Sequence, residues 1–309
     1  MIIHLSDLDL KRLYVVADYR VLTTAQLMAL GVKSQAVVWK WRRAMAARGL
    51  LEMIPRGYGK SEGRPESLIC LSRAGIDLLK EKCLLDTSIS YEQVSVQATT
   101  HDLEHHLSLN WFRIHLLQID KILPNLATRF LSSNSPYCLD ENHQRPLIYE
   151  PPLTLPGGGE VSGFTPDGVF TVTCDKEKAS LLFFLEVDMG SQTIANTKSE
   201  PGDIREKIQR YQSVFRLRRY KRYESVFQAK LEGFRLLFLT RGLDRMNALC
   251  REILSQQPSD FIWVTDQDRM FKQGLADAIW ARGGRQDIPL QSILNLRLCC
   301  PSPLPDLHP

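Results

Sequence analysis

No stretch of this sequence is apolar for long enough to cross a bilayer. The longest apolar run, LLFFL, has five residues, against the roughly 20 that a spanning helix needs. Cysteine is sparse at seven residues, with no CxxC pair and no zinc-knuckle spacing. Cys299 and Cys300 are adjacent, which excludes a simple staple between distant segments. Such a scattered, odd-numbered set reads as reduced, buried thiols. There is no internal repeat and no phosphate-binding glycine loop. The run PGGGE at 156–160 sits between strand-like segments and reads as a hairpin turn. The start MIIHLSDLDLKR meets acidic residues too early for a secretory leader. The expectation is a cytoplasmic protein with no membrane partner.

What is present fits an ordinary globular chain. Of 309 residues, 44% are hydrophobic and 24% charged. That length suggests two domains, at roughly 100–200 residues each. The net charge of +4 is unevenly spread. Residues 1–85 hold fourteen Lys/Arg against eight Asp/Glu, a surplus of six. The remainder holds 25 basic and 27 acidic residues, a deficit of two. A basic first third on a near-neutral body points to a polyanion, a nucleic acid, as its partner.

The first third has the pattern of a winged helix-turn-helix. Leu10, Leu13, Val16 and Ala17 recur at helical spacing. Thr23 and Thr24 offer an N-cap for AQLMAL, and Gly31 ends that short helix. Ser34 caps the next helix, SQAVVWKWRRAMAARG, which stops at Gly49. Two helices around a tight turn, the second more basic, make a helix-turn-helix. Angular spacing sends Val37, Val38, Trp41 and Met45 inward. Gln35, Trp39, Lys40, Arg42 and Arg43 then form the DNA-binding set, with donors for base edges or phosphates. For Trp39 two roles stay open: an exposed ring that stacks or joins a homodimer, or one half-buried against the wing. LLEMIP and ESLICLS read as two short strands. The connection between them, RGYGKSEGRP, brings Arg56, Lys60 and Arg64 to the tip of a phosphate-touching wing. A helix at 72–82 closes this domain, set at 1–85. The polar stretch 86–100 reads as a linker.

The second domain, 101–281, reads as a mixed α/β fold. A helix at 101–122 is followed by strand-like runs ATRFLSS, RPLIYEPPL, TPDGVFTVT and SLLFFLEVD. A long helix from 203 to about 223, the strand GFRLLFLT, a helix at 243–254 and the strand DFIWVT complete it. Residues 282–309 read as a loose C-terminal extension or an interaction segment. HDLEH at 101–105 formally matches a metalloprotease pattern. No third zinc ligand is marked, so these histidines read as facing the linker or pairing with Glu104.

Two strands carry the chemistry. Asp167 opens one, and Glu186 and Asp188 end the next. LLFFL is apolar right up to Glu186, so a carboxylate is being set at a buried sheet edge. That is costly unless it is paired, hydrogen-bonded or metal-bound. Alternation puts Glu186 and Asp188 on one face. Asp167, Glu186 and Asp188 together read as oxygen ligands for Mg²⁺ or Mn²⁺, which would activate water against a phosphodiester. Downstream, RLRRYKRY interleaves aromatics with cations, as suits a phosphate backbone.

The pair PD then E-x-D resembles the PD-(D/E)XK nuclease superfamily. The whole chain resembles more closely the replication-relaxation family of plasmid and mobile-element proteins. The matching stretches are the winged-helix segment, ESLICLSRAG, HHLSLNWFRIHL, TPDGVF, FFLEVDMG and REKIQRYQSVF. The resemblance implies an α+β chain: a winged helix-turn-helix, then a PD-(D/E)XK-like α/β domain with a central mixed sheet. It implies work in plasmid replication, relaxation or mobilisation, with replication or mobilisation proteins as partners.

One departure weighs on activity: Asp188 stands where the superfamily has its catalytic lysine. Two rescues stay open, Asp188 as a further metal ligand, or Lys207 reaching in from the next helix as a migrated lysine. The expectation is therefore a DNA-binding protein with a degenerate nuclease-like domain. The alternative is a metal-dependent endonuclease or nickase using Asp167, Glu186, Asp188 and Lys207.

Overall fold

The computed structural model describes residues 5–32, 34–54, 67–96, 100–154, 160–174, 179–194 and 203–294. Contacts divide the chain into two units, residues 1–114 with 132–147, and residues 115–131 with 148–308.

Three helices open the first unit: α1 (Asp7–Tyr19), α2 (Thr24–Ala29) and α3 (Gln35–Ala47). Each begins where a hydroxyl meets the unpaired N–H groups of a first turn. Ser6 accepts from Asp9 N, Thr23 from Gln26 N and Ser34 from Val37 N. Asp9 and Gln26 return the bond to their caps, closing two capping boxes. The strands β1 (Leu51–Ile54) and β2 (Leu68–Leu71) pair antiparallel with Leu51 opposite Leu71. Residues 55–66 between them, including Arg56, Lys60 and Arg64, lie outside the described residues. Then come α4 (Arg73–Glu81) and α5 (Tyr91–Val94). The stretch expected as a linker thus holds a turn of helix, capped by Ser90 and Gln93.

The long helix α6 (Thr100–Ile122) counts with the first unit as far as Ile114. Buried polar side chains explain why, since each needs a partner. Asn110 Nδ2 donates to the carbonyls of Tyr19 at 3.1 Å and Val21 at 2.6 Å. Gln26 Nε2 donates to Leu107 O at 2.9 Å. Arg113 pairs with Asp18 at 2.8 Å and lies 3.9 Å over the Tyr19 ring. This unit therefore reaches beyond residue 85.

The second unit is built on a six-stranded mixed sheet, and the fold is α+β. In chain order its elements are β3 (Leu126–Ser132), β4 (Leu153–Thr154), β5 (Glu160–Val161), β6 (Gly168–Cys174) and β7 (Ala179–Asp188). Then follow α7 (Ile204–Arg216), α8 (Tyr223–Phe227), β8 (Phe234–Thr240) and α9 (Leu243–Ser255). Last come β9 (Ile262–Asp266), α10 (Gln267–Gln273) and β10 (Ala281–Arg282). The large sheet has the order β10-β9-β8-β7-β6-β3. β6 runs antiparallel to β7, β8 and β9 run parallel with it, and β10 is antiparallel to β9. β4 and β5 form a separate small hairpin.

Three expectations are corrected here. RPLIYEPPL is not one strand. It yields β4 and isolated bridges, Leu139 with Pro146 and Glu150 with Phe164, because three prolines remove ladder donors. The helix expected to reach about 223 ends at Arg216. Arg218 adopts a left-handed turn, φ 53°, before a 3-10 turn over Arg219–Arg222. Crowded cations disfavour a continued helix, and the tyrosines find partners elsewhere. Tyr220 donates to Glu232 O at 2.9 Å and Tyr223 to Glu150 Oε1 at 2.7 Å. Residues 282–294 are not loose: Ile293 is fully buried, and Gln291 exchanges backbone bonds with Trp280.

Alternation divides the sheet. On one face Leu182, Phe184, Leu236, Phe238, Ile262 and Val264 pack with the apolar sides of α7 and α9. Phe184 is the hub, with Tyr211, Tyr223 and Phe234 edge-on at 5.4, 5.4 and 4.6 Å between ring centres. On the other face Phe130, Phe170 and Phe183 stack in sequence at 5.8 and 4.7 Å. Gly168 makes room for that stack, since a Cβ there would lie 2.3 Å from Phe130 Cζ.

Candidate functional site

The carboxylates singled out in the sequence meet at the C-terminal end of β7. Asp167 precedes β6, and its Oδ2 accepts from Val187 N at 2.7 Å. Glu186 and Asp188 share the face covered by α7 and α9, and both are buried. Lys207 Nζ donates to Glu186 Oε2 at 2.9 Å, and Tyr211 O–H donates to Oε1 at 2.5 Å. Both donors come from one face of α7, four residues apart. Asp188 is held by the fork of Arg245, Nε to Oδ2 at 2.7 Å and Nη2 to Oδ1 at 3.2 Å. Gly190 N adds a bond to Oδ1 at 2.9 Å.

The electrostatics follow from this burial. Desolvation raises the Glu186 pKa, Lys207 opposes the rise, and Asp167 adds to it. Burial pulls Lys207 downward, but Glu186, Asp167 and Asp188 together lift it above the ordinary lysine value. Lys207 is thus a firm cation set among three acids. The Tyr211 phenol is raised well above its usual value by burial and by Glu186, so it stays protonated and donates to that carboxylate.

The structure therefore brings Asp167, Glu186 and Lys207 together, and gives Asp188 to Arg245. Among the described residues no three His, Cys, Asp or Glu side chains gather as a metal-binding group. The three carboxylates do not fit a Mg²⁺ cage in this arrangement, because an arginine fork occupies both oxygens of Asp188. Of the HDLEH histidines, the His101 side chain lies outside the described residues, and His105 joins no such group. His105 meets His106 edge-on, and His106 Nδ1 lies 2.5 Å from Asn134 Nδ2.

Arg245 and the neighbouring pair Asp266–Arg269, 3.3 Å apart at the end of β9, escaped the sequence reading. One signal for Arg245 was available. It sits in the first turn of α9, where the helix dipole disfavours a cation unless a carboxylate faces it.

The exposed residues of α3 include Gln35, Val37, Trp39, Lys40 and Arg43, and Arg48 at its C-cap is exposed as well. Two expectations change. Val37 is 41% exposed, while Arg42 is only 6% exposed. The Arg42 guanidinium lies 4.0 Å from the Trp39 ring centre, and Nη1 donates to Thr24 Oγ1 at 3.3 Å. Both residues flank the apolar stripe Val38–Trp41–Met45. Arg42 wins the buried flank because its methylenes pack while its head keeps polar partners. Trp39 is 46% exposed.

The family model described as replication-relaxation matches residues 13–229. The chain belongs to the replication-relaxation family. No curated protein and no solved structure matches it. Membership suggests a role for this replication-relaxation protein in the replication or relaxation of a plasmid or mobile element. Its matched region takes in α3, the carboxylates of β6 and β7, and Lys207. No helix among the described residues of this replication-relaxation protein is long and apolar enough to cross a membrane.

Proposed function

We propose that this replication-relaxation protein binds double-stranded DNA through a winged helix at its N-terminus and carries a degenerate PD-(D/E)XK-like domain behind it. Replication or mobilisation proteins of the same element are its proposed partners, in the cytoplasm. The observation that carries the degenerate reading is the state of the three carboxylates. Asp167 is spent on a backbone N–H, Glu186 on Lys207 and Tyr211, and Asp188 on Arg245. A divalent ion would have to displace a cation from a buried ion pair, at a cost of several kcal/mol. In a supercoiled-plasmid assay with Mg²⁺ or Mn²⁺ the expected result is no nicking above an EDTA control. Nicking that disappears in Glu186→Gln would overturn it. That outcome would favour the alternative, a metal-dependent nickase on Asp167, Glu186 and Lys207, whose support is the 2.9 Å contact between Lys207 and Glu186.

The DNA-binding reading rests on the exposed, basic face of α3 and on the strand pair that follows it. Lys40 and Arg43 are its exposed cations nearest Gln35 and Trp39. Lys40→Ala with Arg43→Ala is expected to weaken duplex binding roughly tenfold or more and to lower the log–log salt slope by about two. Arg42→Ala is expected to act differently, lowering the stability of the first unit rather than the salt slope. Titrations by fluorescence anisotropy between low and physiological salt separate the two. An unchanged slope in the Lys40/Arg43 variant means that α3 does not face the phosphates.

A further inference from the structure

A pocket lies on the outer side of α7, away from the Lys207–Tyr211 face. Its volume is about 750 Å³, within the usual range for a small-molecule site. It lies between α7, the strand β5 and the end of α9, and its lining carries three side-chain amides, two arginines and two carboxylates, Glu160 and Glu206. Gln209, Arg210, Gln212, Arg216 and Gln256 all contribute.

The hydrogen bonds already made leave a defined set unmade. Arg210 Nη2 donates to Glu206 Oε1 at 2.6 Å, but the buried Arg210 Nε has no acceptor among the described residues. That nitrogen is sealed from solvent, so the part of Arg210 open to a ligand is the rest of its guanidinium. Arg216 uses one Nη2 bond, on Gln257 O at 3.2 Å, leaving the rest of its fork for an anion. Gln212 spends its amide nitrogen on Pro258 O at 3.1 Å, and Gln256 spends its own on Glu252 Oε1 at 3.0 Å and Ser255 Oγ at 3.3 Å. Both therefore keep a carbonyl acceptor, while Gln209 is exposed. A side-chain amide matches the donor–acceptor edge of a nucleobase, and an arginine fork matches a phosphate.

We infer that this pocket binds a nucleotide unit, its phosphate on Arg210 and Arg216 and its base edge on the glutamines. The unit is either a free mononucleotide or one residue of a single strand. The inference does not depend on α3, so duplex binding through the first unit and nucleotide binding here fail separately.

The full chain is titrated by calorimetry with AMP, CMP, inorganic phosphate and a five-nucleotide single strand. Binding of a mononucleotide is expected, at least tenfold tighter than inorganic phosphate. The same site filled only by the oligonucleotide assigns it to a strand. Arg210→Lys and, separately, Gln209→Ala are each expected to weaken that binding at least fivefold, with melting curves unchanged for the exposed Gln209→Ala. No binding of any nucleotide probe, phosphate binding as tight as nucleotide, or binding indifferent to both variants would each overturn the inference.

Discussion

Lys207→Met is expected to destabilise the second unit by about 3 kcal/mol at neutral pH, the usual cost of breaking a buried ion pair from one side. Glu186 has 3% of its side chain exposed and Lys207 25%, so removing the lysine strands a carboxylate with only Tyr211 to serve it. The loss is expected to depend on pH in a particular direction. The Glu186 pKa already lies above its unfolded value through desolvation, and without Lys207 to oppose it the rise is larger. Such a group contributes full stability below the unfolded value and loses it as pH rises through the folded one. The variant therefore approaches the parent in acid, where Glu186 is protonated, and falls away from it toward neutrality. The double variant Glu186→Gln/Lys207→Met is expected to recover much of the loss, and urea melts of the four proteins across pH read the coupling directly. A pH-independent loss in Lys207→Met, or a double variant no better than the single one, would mean that the pair is not coupled.

Phe184→Ala is expected to cost about 3–5 kcal/mol, the range for deleting a fully buried aromatic side chain. Three aromatic edges converge on this ring, from α7, α8 and β8. Its neighbours are themselves fixed by hydrogen bonds, Tyr211 to Glu186 and Tyr223 to Glu150. They cannot collapse into the cavity without breaking those bonds, which places the cost toward the upper end. Loosening is also expected to reach the carboxylates, since Tyr211 touches both Phe184 and Glu186. A thermal melt measures the first effect. A lower Lys207 pKa by NMR would report the second. A variant that melts within a degree or two of the parent contradicts the hub role.

The placement of the carboxylates was legible because two simple rules governed it. A carboxylate ending an apolar strand needs a partner, and Glu186 has two. Alternation put Asp188 on the same face, and both side chains are covered by the same pair of helices. The hydroxyl caps at Thr23 and Ser34 were readable as well, since capping acts over three residues. What failed involved choices between equivalent neighbours. Val37 and Arg42 flank the same stripe, and only the tertiary partners Thr24 and Trp39 decide which is buried. The helix break at Arg218 depends on Glu150 and Glu232, and nothing local announces them. The partner of Asp188 lies 57 residues away, so its capture by Arg245 could only be suspected from a misplaced charge at a helix start.

The glycine of TPDG has an origin separate from the acid beside it. A side chain at 168 would run into the Phe130 ring of the adjacent strand, which itself leans on Phe170. The letter G in that motif is the imprint of a neighbour's bulk. The same clash predicts that positions 130 and 168 vary as a pair: where the ring gives way to a small residue, alanine or serine becomes admissible after the aspartate. A motif search that insists on the glycine would select for the aromatic next door and pass over chains that keep the acid without it.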